Sequence, residues 1–132
     1  MLIVNCDDFG MYDAINAAVV DSIGKGIASS CSLMAPCPSA VHAMHLLRQR
    51  SEIPFGIHLT LVCDTTHYRW GPLAPKEKVP SLLDDAGELL TPAPAGRSAL
   101  LARARLDEVE LEFRRGYSFD QMFEKVDDRH AR

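Results

Sequence analysis

The sequence predicts an α/β fold in which helices cover a parallel sheet. Apolar, strand-like runs alternate with helical patterns in the order strand, helix, strand, helix, strand, and short connections join them. Parallel neighbouring strands need crossover connections of this kind. With 132 residues, of which 47% are apolar, the chain can form one domain with a hydrophobic core. We therefore expect residues 1–132 to form a single domain.

Each element has its own local signal. Short apolar runs indicate buried strands, whereas apolar residues three and four apart, preceded by Asp or Ser, indicate capped helices. The predicted elements are a strand over 1–5, a turn at Phe9-Gly10, a helix from its N-cap Asp13 to Gly24 or Gly26, a strand over 27–34, a helix from its cap Ser39 to about Arg50, and a strand over 55–62.

The pattern changes after the third strand. Residues 64–96 are rich in proline and predict a long loop insertion, which in a compact domain is more often functional than neutral. The loop contains the cluster His67, Tyr68, Arg69 and Trp70, which could stack on a sugar ring or simply anchor the loop. A final amphipathic helix is predicted over 98–115.

Charge and cysteine content restrict the partners. The net charge of -4 and the pI near 5.7 argue against nucleic-acid and membrane-surface partners and favour a small ligand. The four cysteines form no CxxC pair, so we expect reduced, mostly buried thiols. We find no pattern typical of a signal peptide and no apolar run long enough to span a bilayer. The predicted location is cytoplasmic.

Polar residues at strand ends form the candidate site, because ligands of parallel α/β folds bind there. Asp7 and Asp8 follow the first strand. In "GIHLTL" His58 and Thr60 alternate with Ile57, Leu59 and Leu61, and we expect those three apolar residues to pack against helices. The acids could be only a turn and helix cap, and the histidine only a core residue. Two adjacent carboxylates at a buried strand end repel each other, however, unless a cation or a shared proton relieves them. A divalent metal on Asp8 and His58 would do so and leave Asp7 free as a base.

A second histidine pair lies on the second helix. His42 and His45 are three residues apart in "HAMH" and so share one face, within theoretical reach of a metal. Because helices of this architecture lie outside the sheet, a solvated face is the simpler interpretation. Mixed carboxylate and imidazole ligation suits zinc, manganese or iron, and magnesium when waters complete the shell.

Three ordered motifs resemble the YdjC-like family of carbohydrate deacetylases, which includes chitooligosaccharide deacetylases. They are "NCDDFG", "AINAAVVDSIGKGIASSCSLM" and "FGIHLTL", and the resemblance covers about residues 2–95. It implies a distorted (β/α) TIM-like barrel, of which this chain would hold the incomplete N-terminal part. It also implies a divalent metal ion, commonly Mg²⁺ or Zn²⁺, and removal of acetyl groups from N-acetylated sugars, with a small carbohydrate as the partner.

The resemblance also assigns roles. It implies that Asp7 is the general base and that Asp8 and His58 are metal ligands. The family has a further histidine-rich motif on a later strand, and the nearest segment here is "VDDRHAR", in which His130 is the candidate ligand although it is offset.

Two other classes of function stay open. A signalling receiver domain also has an acidic pair after its first strand, but it needs a phosphorylatable Asp where this chain has His58. A catalytically silent, incomplete barrel could instead bind a partner or form a homo-oligomer that covers its open edge.

Overall fold

The computed structural model describes residues 2–91 and Gln121. This part of the chain forms two compact units, and the boundary between them in the sequence lies between Leu59 and Thr60. The first unit is an α/β unit, and the second, over residues 60–91, contains two short 3₁₀ helices. The elements of the first unit are β1 (Asn5–Phe9), α1 (Asp13–Lys25), β2 (Ser30–Leu33), α2 (Ala40–Gln49) and β3 (Phe55–Ile57).

A parallel sheet organises the first unit. Its strands lie in the order β1-β2-β3, and both neighbouring pairs are parallel. Each crossover between them contains one helix, so the predicted α/β class with a parallel sheet is confirmed. Cys6 pairs with Cys31, and Cys31 pairs with Phe55. Because paired residues of parallel strands share a face, this register places one side chain of each strand on the same side of the sheet.

The strand boundaries differ from those predicted. β1 was expected over residues 1–5 but covers Asn5–Phe9, because its pairing with β2 continues to Phe9 and Leu33. Leu2 and Ile3, before it, are 83% and 67% exposed. Asp7 and Asp8 therefore lie inside the strand and not after it. β2 and β3 are shorter than predicted and end at Leu33 and Ile57.

The two helices lie close to their predicted bounds. α1 begins at Asp13, but Tyr12 holds the N-cap position, so Asp13 contributes a charge to the first turn and not the cap. Ser39 does precede α2, yet its side chain makes no capping hydrogen bond. The Ser39 side chain is instead hydrogen-bonded to the carboxylate of Asp13, which lowers the pKa of Asp13. The helices are thus joined at their N-termini.

The core of the first unit lies between the sheet and the helices. α1 buries Asn16 and Val19, and α2 buries four residues. The largest side chains buried there are Phe9, Leu33 and Met44, each 0% exposed. All four cysteines are free, as expected, and burial raises the pKa of the Cys31 thiol to about 11. At neutral pH this cysteine is protonated and acts as a small apolar core residue.

One face of β3 contradicts the sequence-based expectation. Ile57, Leu59 and Leu61 were predicted to pack against helices. In the structure Ile57 is 44% exposed and Leu59 is 68% exposed, and Phe55 on the same face is 38% exposed. The reason is topological: β3 lies at one edge of the three-stranded sheet formed by the described residues and has a neighbouring strand there on one side only.

The second unit has a small core of its own. Its 3₁₀ helices are Lys76–Lys78 and Pro80–Leu82. The Arg69 guanidinium donates to Asp84 Oδ2 at 2.6 Å and to the Leu89 carbonyl at 2.7 Å. Trp70 is only 2% exposed. The structure therefore favours the interpretation in which Trp70 anchors the loop over the one in which it stacks on a sugar ring. The buried apolar residues of this unit include Cys63, Trp70, Ala74, Val79, Leu82 and Leu89.

Two predicted features lie outside the described residues: the loop beyond residue 91 and the helix over 98–115. Within residues 2–91 and 121, none of the helices combines the length and the apolar character that crossing a membrane requires.

Replacing Gly10 should destabilise the first unit. Gly10 has a φ of +103°, and a Cβ there would lie 3.1 Å from the Met34 carbonyl oxygen and 3.3 Å from Ala40 Cα. Gly10→Ala should lower the free energy of unfolding by about 1–3 kcal/mol, measured by urea denaturation. Gly56→Ala is the matched control, since a Cβ at Gly56 meets nothing within 4 Å. Equal losses in the two variants would contradict this packing argument.

The Asp84 carboxylate should make the second unit sensitive to acid. Hydrogen bonds from the Glu88 backbone N–H and from Arg69 lower the pKa of Asp84. Its contribution to stability is therefore complete above the unfolded-state pKa of about 3.9 and is lost as the pH falls through the folded-state pKa. Asp84→Asn should be less stable than wild type at about pH 6, with a smaller difference at about pH 3, measured by denaturation. Exposed Asp85→Asn is the control. A difference that does not change with pH would contradict the prediction.

Candidate active site

A polar network covers one face of the sheet. Asn5 pairs with Ser30 in the register, so the two residues share that face. Ser30 Oγ donates to Asn5 Oδ1 at 2.7 Å, and Asn5 Nδ2 donates to Ser32 Oγ at 3.2 Å. Because side chains alternate along β2, Cys31 and Leu33 enter the core while the two serines face away from it.

Asp7 is the carboxylate that this network holds. Ser32 Oγ donates to Asp7 Oδ1 at 2.8 Å, and Asn5 Nδ2 donates to the same oxygen at 2.8 Å. These two hydrogen bonds, with a smaller contribution from the nearby charge of His58, lower the pKa of Asp7. The side chain is exposed to solvent. Asp7 is therefore an oriented, ionised carboxylate at neutral pH.

Asp8 has an unusual backbone. Its φ of 63° lies in the left-handed region, and Asp8 is the one non-glycine residue with positive φ in the described part of the chain. The register between β1 and β2 shifts between Cys6 and Phe9, as it does at a bulge. A regular strand would direct adjacent side chains to opposite faces. This irregularity lets both acids lie near His58, and the left-handed conformation costs about 1–3 kcal/mol.

The Asp8 carboxylate faces the His58 imidazole. Asp8 Oδ1 and His58 Nδ1 are 3.9 Å apart, and the side chains are 45% and 31% exposed. This separation is too long for a hydrogen bond. Two ligands about 2.0–2.2 Å from a tetrahedral ion lie roughly 3.4 Å apart, so a closure of about 0.5 Å would let this pair bind one divalent ion. Taken together, residues 2–91 and 121 hold no group of three or more His, Cys, Asp or Glu side chains suited to a metal.

Sequence reasoning missed two residues that hold Asp7: Asn5, which donates to the same carboxylate oxygen, and Ser32. Besides its bond to Asp7, Ser32 Oγ lies 3.3 Å from His58 Nδ1, so it links the candidate base to the candidate ligand. The signal was present in "SCSL", where serine alternates with apolar residues in a buried strand. Serine is common in turns and caps, and its hydroxyl therefore carried no specific indication of a site.

The remaining candidate residues lie elsewhere. His42 Nδ1 is 3.0 Å from Asp13 Oδ1 and 3.3 Å from Asn16 Nδ2, which connects α2 to α1. His45 is exposed on α2. His130 lies outside the described residues, so its proposed ligation stays a prediction. The structure thus brings together Asp7, Asp8 and His58 from the predicted set.

Comparison with known proteins identifies the protein family. The family model described as "YdjC-like protein" matches residues 1–117. The chain belongs to the YdjC-like family, and the resemblance predicted from the three motifs is confirmed.

Relatives of this family carry enzyme names. A carbohydrate deacetylase from Geobacillus stearothermophilus is 33% identical over 132 residues, which cover 97% of this chain and 48% of that protein. A chitooligosaccharide deacetylase from Serratia marcescens is 34% identical over 118 residues, covering 89% of this chain and 42% of that protein. The chain thus spans about half the length of these relatives.

A solved structure has a similar fold. It is a crystal structure from Enterococcus faecalis V583, of a protein described as a candidate cellobiose-phosphate cleavage protein. The match has a TM-score of 0.72 and 27% sequence identity and covers 98% of this chain but 44% of the other.

Removing the Ser32 hydroxyl should raise the pKa of Asp7. The hydroxyl is the largest cause of the lowered pKa, so Ser32→Ala should move the Asp7 titration midpoint toward its usual value, measured by carboxyl ¹³C NMR in metal-free protein. In the control Ser30→Ala, the lost hydroxyl reaches Asp7 only through Asn5, and the shift should be smaller. An unchanged midpoint in Ser32→Ala would contradict the assignment.

Proposed function

We propose that this chain forms the N-terminal part of a metal-dependent carbohydrate deacetylase. The reaction is hydrolysis of the acetamide C–N bond of an N-acetylated sugar, with a chitooligosaccharide-like molecule as substrate. The observation that carries the proposal is the approach of Asp8 to His58 at 3.9 Å, with the hydrogen-bonded Asp7 beside them. The names of the relatives support the substrate class. In this proposal the parallel sheet is the beginning of a distorted (β/α) barrel.

Asp8 and His58 would hold the divalent ion, Mg²⁺ or Zn²⁺. Their donors are one carboxylate oxygen and one imidazole nitrogen, a mixed set that suits zinc and, with added waters, magnesium. Both side chains are partly exposed, so an ion can reach them from solvent. When bound, the ion supplies Lewis-acid polarisation of the amide carbonyl and acidifies water.

Asp7 is proposed as the general base. Its lowered pKa keeps it ionised at neutral pH, and Ser32 and Asn5 fix one of its oxygens. In hydrolysis a water molecule gives a proton to Asp7 as its oxygen bonds to the acetyl carbon. The C–N bond then breaks, the proton passes from Asp7 to the sugar nitrogen, and acetic acid and the amino sugar are released; at neutral pH the acid gives its remaining proton up, leaving acetate and a protonated amine. General base catalysis of this kind contributes about 10²–10⁴-fold to the rate.

One observation favours a second candidate function, a non-catalytic role in binding. Phe55 and Ile57 of the edge strand β3, and Leu59 two residues after its end, are exposed apolar residues that alternate along the chain. An exposed apolar edge is a surface on which a partner or a second copy can add. A homo-oligomer that covers these residues is therefore the alternative proposal.

The leading proposal predicts separable effects of three substitutions. The full chain should bind Zn²⁺ in calorimetry and release acetate from N-acetylated chitooligosaccharides. His58→Ala should weaken Zn²⁺ binding beyond the roughly 10–100-fold that loss of an outer-shell partner causes, and Asp8→Asn should do the same. Asp7→Asn should keep Zn²⁺ affinity while the rate of acetate release falls by about 10²–10⁴-fold.

The control is His45→Ala, which removes an exposed histidine of α2 and should leave Zn²⁺ binding unchanged. Equal Zn²⁺ affinity in wild type and His58→Ala would sink the metal assignment. A wild-type chain that releases no acetate, and whose mass in sedimentation rises with concentration, would favour the oligomeric alternative.

A further inference from the structure

The backbone after the acidic pair forms a tight turn. The Met11 N–H donates to the Asp8 carbonyl at 3.0 Å, which closes a four-residue turn with Asp8 at its first position. Gly10, at the third position, has the positive φ that a type II turn requires there. Such a turn converts to the common type I form when its central peptide flips. The orientation of the Phe9–Gly10 peptide therefore decides which backbone follows Asp8.

A buried asparagine holds that peptide. Asn16 is 0% exposed, and its Oδ1 accepts the Gly10 N–H at 2.6 Å. Without this acceptor the Gly10 N–H would be a buried donor without a partner. The free energy of the observed turn would then rise relative to that of the flipped form.

The asparagine is itself fixed on its other side. Asn16 Nδ2 donates to the Ser39 carbonyl at 3.0 Å and lies 3.3 Å from His42 Nδ1. These contacts join α1 to the start of α2, so Oδ1 cannot rotate away from Gly10 without breaking them. Asn16 thus connects the packing of the helices to the turn that begins at Asp8.

We infer that Asn16 is a positioning residue for Asp8: by holding the Gly10 N–H, it fixes the turn that begins at Asp8 and so keeps the Asp8 carboxylate directed toward His58. This inference rests on the proposed metal site. Asn16 lies on α1, outside that site, and we expect its loss to weaken cation binding more than the loss of a buried side chain that contributes only to packing. Asn16 does not contact the cation pair, so its effect is transmitted through the backbone of residues 8–10.

The test compares cation affinity with stability. Asn16→Ala should weaken Zn²⁺ binding to the full chain by about 10–100-fold, the range expected for partners that orient metal ligands. The matched control is Val19→Ala, which truncates the other buried side chain of α1 and leaves the turn intact. Calorimetry with Zn²⁺ alone gives the affinities, and urea denaturation of the metal-free proteins gives the stabilities. Val19→Ala should lose stability but keep wild-type Zn²⁺ affinity.

A second variant tests the contacts of Asn16 Nδ2 separately from the hydrogen bond that its Oδ1 accepts. His42→Ala removes a neighbour of Nδ2 but retains the Gly10 hydrogen bond, so its Zn²⁺ affinity should stay close to that of wild type. Co²⁺ absorption spectra provide a readout that instability alone would not change: Asn16→Ala should alter the ligand-field bands, and Val19→Ala should not. Parallel losses of affinity and stability in Asn16→Ala and Val19→Ala would overturn the inference. Absence of Zn²⁺ binding in wild type would instead reject the proposed metal site.

Discussion

The left-handed backbone of Asp8 is the constraint on which the candidate site depends. Asp8 and Asp7 are neighbours in β1, and a regular strand would separate their side chains across the sheet. The shifted register between Cys6 and Phe9 removes that separation, and Asp8 lies 3.9 Å from His58 as a result. The free-energy cost of this left-handed conformation is offset by contacts around the turn, chiefly the hydrogen bond from the Gly10 N–H to Asn16 and the close packing of Gly10. Helix packing and site geometry are therefore parts of one arrangement.

Much of the first unit could be predicted from the sequence, because its order of elements follows from apolar periodicity. The ends of the strands could not. Leu2, Ile3 and Ile27 have strand-forming side chains, yet backbone pairing, which a single sequence does not display, decides where a strand begins. The adjacent acids did indicate a site, because two carboxylates at a buried strand end repel each other unless a cation or a shared proton relieves them. Ser32 did not, since its importance arises from the register that places its hydroxyl between Asp7 and His58.

The two units differ in how polar groups are used. In the first, the carboxylates of Asp7 and Asp8 remain partly exposed and accessible to ligands. In the second, Asp84 is held by Arg69 and by backbone N–H groups, an arrangement that stabilises a turn and leaves Trp70 buried. A sugar-stacking role for Trp70 is thus disfavoured by its burial. The family model matches residues 1–117 and so includes described residues of both units.

The account depends most on a cation shared by Asp8 and His58, and ¹⁵N NMR of the histidine side chains during Zn²⁺ titration tests it most directly. The chain has five histidines, so the spectrum is simple enough to assign by substitution. The account predicts that the His58 ring nitrogens shift with saturation at one equivalent of Zn²⁺ per chain and that Asp8→Asn abolishes this shift. Unchanged His58 resonances, or a shift confined to His42 and His45 on α2, would contradict it.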